Sequence, residues 1–220
     1  MTNIFKTPEK VERKERLFQI GIETLQQQGW TVTKEKGLGK SSVRRISKNG
    51  ESKLVSIRTT QDQWIAFPPK PKGKGWITLD DVDVVLAVSV DGNEPPREAL
   101  VHWLDAQEMR GRFDRALAAR REEGRVQPER RGVWIPLYMR EDESENVSYV
   151  GGGAGLDHPA IANVPMLGDA STPAPTGSWR LAGDAADYDD QEGLTIAKAK
   201  RGLSISFGVP ESAIKITIEA

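Results

Sequence analysis

Val43-Arg44-Arg45-Ile46-Ser47-Lys48-Asn49-Gly50-Glu51-Ser52-Lys53-Leu54-Val55-Ser56-Ile57-Arg58 is the stretch on which the fold turns. Two β-rich runs flank Asn49-Gly50, whose residues accept the positive φ angles of a type I′ turn. A hairpin of Val43 to Lys48 with Glu51 to Arg58 follows. It needs a sheet to join and a layer to cover it, and the neighbouring sequence supplies both.

Upstream, Thr7-Pro8-Glu9 starts a helix. Threonine caps it, proline suits its first position and glutamate favours the positive end of the dipole. Val11, Phe18, Ile22 and Leu25 fall on one face of that helix, and Gly29 stops it. Trp30 and Val32 alternate with Thr31 and Thr33 as a short strand. Gly37-Leu38-Gly39-Lys40-Ser41 ends like a phosphate-binding P-loop. Lys34, however, stands where that motif needs its first glycine, and a strand rather than a helix follows. The segment reads as a loop.

Downstream, Trp64 to Phe67 reads as a third strand closed by Pro68-Pro69. Lys70-Pro71-Lys72-Gly73-Lys74-Gly75 is a basic loop. Val82 to Val90 is an apolar run of strand length, expected to be buried on both faces. Leu100 to Leu104 is a further strand. Asp105 and Glu108 have capping-box spacing for a second helix, with Met109, Phe113, Ala116 and Leu117 as its buried stripe. Arg110, Arg112, Arg115, Arg120 and Arg121 lie mostly off that stripe, and Gly124 ends the helix. Val133 to Tyr138 adds one more strand. The pattern predicts an α/β fold, a small mixed central sheet flanked by helices.

Three regions follow. Residues 1–140 form the α/β body. Residues 141–193 are rich in Gly, Ala and Pro without apolar periodicity, which predicts a flexible acidic linker. Residues 194–220 form a short tail, with a helix over Ile196 to Phe207 and a strand over Ile214 to Ile218. Charge follows the same division. Residues 1–130 carry 24 Lys and Arg against 19 Asp and Glu, whereas residues 141–193 carry one Arg against 11 acidic residues. A mildly basic body thus precedes an acidic segment, either as ordinary solvating charge or as a body that meets a polyanion with the acidic stretch as its intramolecular competitor.

Composition narrows the chemistry. The 220 residues include no cysteine, which excludes disulfides, thiolate metal sites and a cysteine nucleophile. The two histidines, His102 and His158, are far apart in sequence. No Gly-x-Ser-x-Gly elbow anchors a hydrolase triad. No apolar run approaches the roughly 20 residues of a membrane helix, and the N-terminus has no signal-peptide core, so no membrane contact and a cytoplasmic location are expected. Asp80, Asp81 and Asp83 cluster before the buried strand, either as magnesium ligands or as turn caps and solvated charges. No metal and no cofactor is expected.

The succession of helix, strand, hairpin, third strand, buried strand, edge strand and basic helix, over Thr7 to Gly124, resembles the PD-(D/E)xK family. That is the fold of restriction endonucleases and archaeal Holliday-junction resolvases. The resemblance implies a glutamate on the first helix, an aspartate after proline on the first hairpin strand, and a (D/E)-x-K tripeptide on the second. The carboxylates hold magnesium and the lysine positions water. Carried onto this chain, the helix glutamate is Glu23, the Pro-Asp pair falls at Ser42-Val43, and the tripeptide falls at Ser56-Ile57-Arg58. Two carboxylates are therefore replaced, by Val43 and Ser56. Arg58 keeps the cation but cannot carry a proton near neutral pH. Glu23 and Asp62 are the remnants nearest to the motif.

The expectation is a catalytically degenerate nuclease-like module, without enzymatic activity, that binds nucleic acid or a nucleic-acid-processing partner. Lys40, Arg44, Arg45, Arg58, Lys70, Lys72 and Lys74 are its candidate phosphate contacts. Trp64 and Trp76 either stack on unpaired bases or pack in the core. The alternative is a protein-interaction module whose acidic linker and C-terminal tail dock a partner. A second alternative is a magnesium nuclease using Glu23, Asp62 and the aspartates near Asp83.

Overall fold

A computed structural model of the chain describes residues 7–35, 42–71, 74–125, 131–143 and 145–166. The chain divides into two units, Met1–Pro175 and Thr176–Ala220, and every described residue belongs to the first. Residues 167–193 of the expected linker and the whole tail, 194–220, lie outside the described residues.

Helix α1 spans Pro8–Gln27. Thr7 caps it through a hydrogen bond from Lys10 N to Thr7 Oγ1 at 3.4 Å, and Gly29 follows its end at φ 85°. Strand β1 is Thr31–Lys34, β2 is Val43–Lys48 and β3 is Glu51–Thr60. Asn49 and Gly50 join β2 to β3 at φ 52° and 83°, as the hairpin signal requires. Strand β4 is Trp64–Phe67, β5 is Val84–Val90 and β6 is Glu98–Asp105. Helix α2, Ala106–Glu122, is capped by Asp105, whose carboxylate accepts from Gln107 N and Glu108 N. Strand β7 is Val133–Pro136, helix α3 is Ala154–Asp157 and β8 is Ala162–Pro165.

The strands form a six-stranded sheet ordered β1-β2-β3-β5-β6-β8 and a two-stranded ribbon of β4 with β7. Only the β3–β5 pairing is parallel in the larger sheet, so it is mixed. All seven residues of β5 are buried, as a central strand covered on both faces must be. On one face, Ile46, Val55, Ile57, Leu86 and Val88 pack with Leu17, Ile20 and Leu25 of α1. On the other, Val43, Val85, Ala87 and Leu104 pack beneath α2 and the β4–β7 ribbon through Met109, Phe113, Phe67 and Ile135.

Four expectations are corrected. First, the buried face of α1 is Leu17, Ile20, Gly21, Thr24 and Leu25, so of the predicted stripe only Leu25 is fully buried. Val11 is exposed and Phe18 and Ile22 are half-buried. Gly21 sets this face: a Cβ there would stand 3.1 Å from Val88 Cγ2 and 3.2 Å from Ile57 Cγ2, so the helix lies close against the sheet. Second, β4 is not a strand of the central sheet. It leaves the hairpin layer and pairs with β7 above it.

Third, β6 is not an edge, because β8 pairs with it from Ala162 to Pro165. The described part of residues 141–166 therefore belongs to the body rather than to a linker. Its glycines are there for close approach. A Cβ on Gly151 would come within 2.3 Å of the Arg112 carbonyl, and one on Gly152 within 2.4 Å of the Met139 carbonyl. Fourth, Arg112 and Arg120 are buried although they lie off the apolar stripe of α2. Met109, Phe113, Ala116 and Leu117 are buried as expected.

Candidate functional site

The hairpin register pairs Val43 with Ser56, so the two positions at which the resemblance would expect carboxylates face each other directly. Side chains alternate along a strand. Ser56 and Arg58 therefore share the face that lies under α2 and the ribbon, while Ile57 points to α1. Val43 and Ser56 have no exposed surface, and Arg58 is buried with its guanidinium carbon 4.2 Å from the centre of the Phe67 ring. The place where the family would hold magnesium is thus covered by a second layer and does not form an open cleft. Ser56 Oγ is buried without a hydrogen-bond partner.

Glu23 does not approach it. The helix that carries Glu23 covers the opposite face of the sheet, and its carboxylate pairs with Arg16 at 3.2 Å and accepts from Gln19 at 3.2 Å. Asp62 closes the turn after β3, accepting from Thr60 Oγ1 at 2.7 Å and Trp64 N at 3.2 Å. Gln61 reaches back to α1, donating to the Lys10 carbonyl at 2.8 Å. Asp83 lies at the other end of the β3–β5 pair and accepts from Leu54 N at 2.7 Å. Roughly 20 Å of strand separates it from Asp62. Asp80 accepts from Trp76 N and pairs with Lys70 at 2.9 Å. Those bonds hold its carboxyl below the usual range against the opposing effect of burial. Among the described residues, no three His, Asp or Glu side chains converge on a point where a metal could sit.

The candidate cations are scattered. Arg44 is buried under α1, with its guanidinium carbon 4.9 Å from the Phe18 ring centre and Nη1 donating to the Val43 carbonyl at 2.9 Å. Arg45 forms a two-point pair with Glu35 at 2.8 and 3.1 Å, which raises its pKa. Lys70 is tied to Asp80 and Lys74 is exposed. Lys40 and Lys72 lie outside the described residues. Trp76 is a core residue: it is buried and its Nε1 donates to Asp114 at 2.8 Å. Trp64 is half-buried, 6.0 Å from the Tyr149 ring.

Two polar networks on the ribbon side were not legible beforehand. In the first, the His158 carbonyl can only accept, so His102 Nδ1 donates to it at 2.7 Å. His102 Nε2 then accepts from Tyr138 Oη at 2.7 Å, and Tyr138 accepts from Ser89 Oγ at 2.5 Å. Burial holds His102 below the ordinary histidine range, with the His158 contact opposing, and burial raises the Tyr138 phenol. Ser89 and His102 are buried and each side-chain polar atom of this network has a hydrogen-bond partner, so the network ties β5, β6 and the segment after β7 together.

In the second, Arg112 donates to Glu108 at 2.8 Å, the Gly152 carbonyl at 2.7 Å and Asp157 at 2.6 Å. Arg140 adds a 2.8 Å contact to Asp157, and His158 Nε2 lies 2.7 Å from Glu108. Burial opposes the Arg112 charge, but the bonds to Asp157 and Glu108 outweigh it and raise its pKa. The same contact with Arg112 lowers the pKa of Asp157, against a smaller effect of burial. This network clamps residues 151–158 to α2. Both networks tie segments distant in sequence to one another.

Comparison with known proteins adds no relative: no family model, no curated protein and no solved structure matches the chain.

Proposed function

We propose that the chain is a catalytically silent module with a restriction-endonuclease-like core, and that it acts by binding nucleic acid. The observation that carries the reading is the Val43–Ser56 pair. Hydrolysis through the family's metal site needs carboxylates there, and this pair is uncharged and sealed under a second layer. Exposed cations remain for phosphate contacts at Lys74 and, on α2, at Arg115 and Arg121.

The test has two parts. Purified protein is incubated with DNA and RNA in magnesium and in manganese, and no cleavage is expected. Binding is then titrated against salt. The affinity should fall with a slope of about 0.7–0.9 in log K per phosphate contact. Metal-dependent cleavage that Glu23→Ala or Asp62→Ala abolishes would overturn the first part. No binding at low salt would overturn the second.

A protein-interaction module without nucleic-acid binding is the second reading. The intramolecular contacts of Arg44, Arg45 and Lys70 favour it, because these cations already have partners before any ligand arrives. The same low-salt titration separates the two.

A further inference from the structure

The β4–β7 ribbon has an aromatic outer face. Its register sets Trp64 opposite Pro136 and Ala66 opposite Trp134, so these four share one side, while Ile65, Phe67, Val133 and Ile135 turn into the core. Trp134 is 47% exposed, a large indole surface left in water. At the other end of the face, the rings of Trp64 and Tyr149 lie 6.0 Å apart at 39°.

A cation with no counter-charge among the described residues lies between α2 and β7, beside this face. Arg120 is 9% exposed and donates only to main-chain carbonyls, those of Trp134 and Ser148. Among the described residues, its Nη1 has no hydrogen-bond partner and no carboxylate pairs with it. Burial and the nearby charge of Arg125 both press its pKa down. An arginine cannot release its proton in response, so the charge persists. Buried charges are ordinarily paired, and this one is not. Arg125, half-exposed, donates to Ser148 Oγ at 3.2 Å and pairs with Glu123 at 2.5 Å. Positive charge therefore accumulates where the end of α2, β7 and the turn at Val147–Tyr149 meet, beside the exposed indole.

We infer that the outer face of the β4–β7 ribbon binds single-stranded nucleic acid, with bases stacking on Trp134 and Trp64 and a phosphate drawn to the Arg120–Arg125 pair. The inference rests on the nucleic-acid reading above and names its surface. Unpaired bases offer flat faces to aromatic rings, which a duplex keeps inside its stack. An acidic peptide would answer the arginines but leave the indole without a flat partner.

The experiment uses the full chain at low salt with fluorescein-labelled 20-mers of dT and U, a duplex of equal length, and polyglutamate as competitor. Wild type is compared with Trp134→Ala and Arg125→Ala, both at exposed side chains, and circular dichroism checks their folds. Single strands should bind about tenfold or more tightly than duplex. Trp134→Ala should weaken that binding about fivefold or more, the loss expected for one stacked base. Arg125→Ala should weaken it and reduce the salt slope by about one contact. Single-strand binding that both variants retain unchanged would overturn this surface while the nucleic-acid reading stands. Duplex preference, or equal displacement by polyglutamate, would also overturn it. No binding to any nucleic acid by wild type removes the underlying reading itself, and this surface with it.

Discussion

Val43 and Ser56 are direct partners across the β2–β3 ladder, and neither side chain touches solvent. A carboxylate at either place would be buried between the sheet and α2, where charge is costly without a metal or a cation to offset it. The serine hydroxyl already stands there without a partner. A buried, unsatisfied hydroxyl costs about 1–3 kcal/mol. Ser56→Ala is therefore expected to stabilise the protein by about 1 kcal/mol. Urea unfolding should show a higher midpoint at unchanged slope. A lower midpoint would mean that the hydroxyl has a partner in solution and that the Val43–Ser56 contact is not dry.

The local signals in the chain were strong where one short-range cause decides the outcome. Asn49-Gly50 supplies the hairpin turn, the apolar run Val82 to Val90 holds the doubly covered strand Val84–Val90, and Asp105 caps α2. Signals failed where the cause lies far along the chain. Gly21 and Thr24 carry no hydrophobic signal, yet both are buried on the contact face of α1, Gly21 where the sheet leaves little room for a side chain. Arg112 looks solvated until Asp157, 45 residues later, is known to reach it. Gly151 and Gly152 have linker composition, and only the backbone of α2 and of the segment after β7 makes them packing residues. The alignment of Val43 with Ser56 was readable from the turn. The layer that seals them was not, because β4 pairs with a strand some 70 residues away.

Two glycine substitutions on the same face of the argument should move in opposite directions. Gly111 is inside α2, and a Cβ there meets nothing within 4 Å. Gly111→Ala should stabilise by about 0.5–1 kcal/mol, the helix-propensity difference. Gly151 has φ 81°, and a Cβ would stand 2.3 Å from the Arg112 carbonyl. Gly151→Ala should destabilise by about 1–3 kcal/mol. Melting temperatures of the two variants check this. A harmless Gly151→Ala would mean that residues 151–158 are not clamped to α2.

His102 predicts a loss of stability on mild acidification. Burial depresses its folded pKa below the ordinary value of about 6.5, so the unfolded chain binds the proton more tightly. The contribution is complete above about pH 6.5 and is lost as pH falls through and below that value. The urea midpoint should drop between pH 7.5 and pH 5.5. His102→Gln should be less stable at pH 7.5 but should flatten that dependence. An equally steep decline in His102→Gln would place the titrating group elsewhere.

Asp157 and Arg112 govern a lower pH window. The guanidinium of Arg112 holds the Asp157 carboxyl below its ordinary value of 3.8, with burial opposing. A depressed carboxylate stabilises the fold above its unfolded pKa, and that stability is lost as pH falls through the folded pKa. Unfolding free energy should therefore fall steeply below about pH 4, and Asp157→Asn should lose part of that slope while costing stability at pH 7. Arg112→Met tests the other partner. Removing the guanidinium takes a bond from the Gly152 carbonyl, leaves Asp157 to Arg140 and Glu108 to His158, and should cost up to about 3 kcal/mol for a largely buried cation. The double variant, Arg112→Met with Asp157→Asn, should cost less than the two single changes added, because each already breaks the shared contact. Strict additivity would show that the 2.6 Å contact contributes nothing, and that the α2 clamp rests on the glycine packing alone.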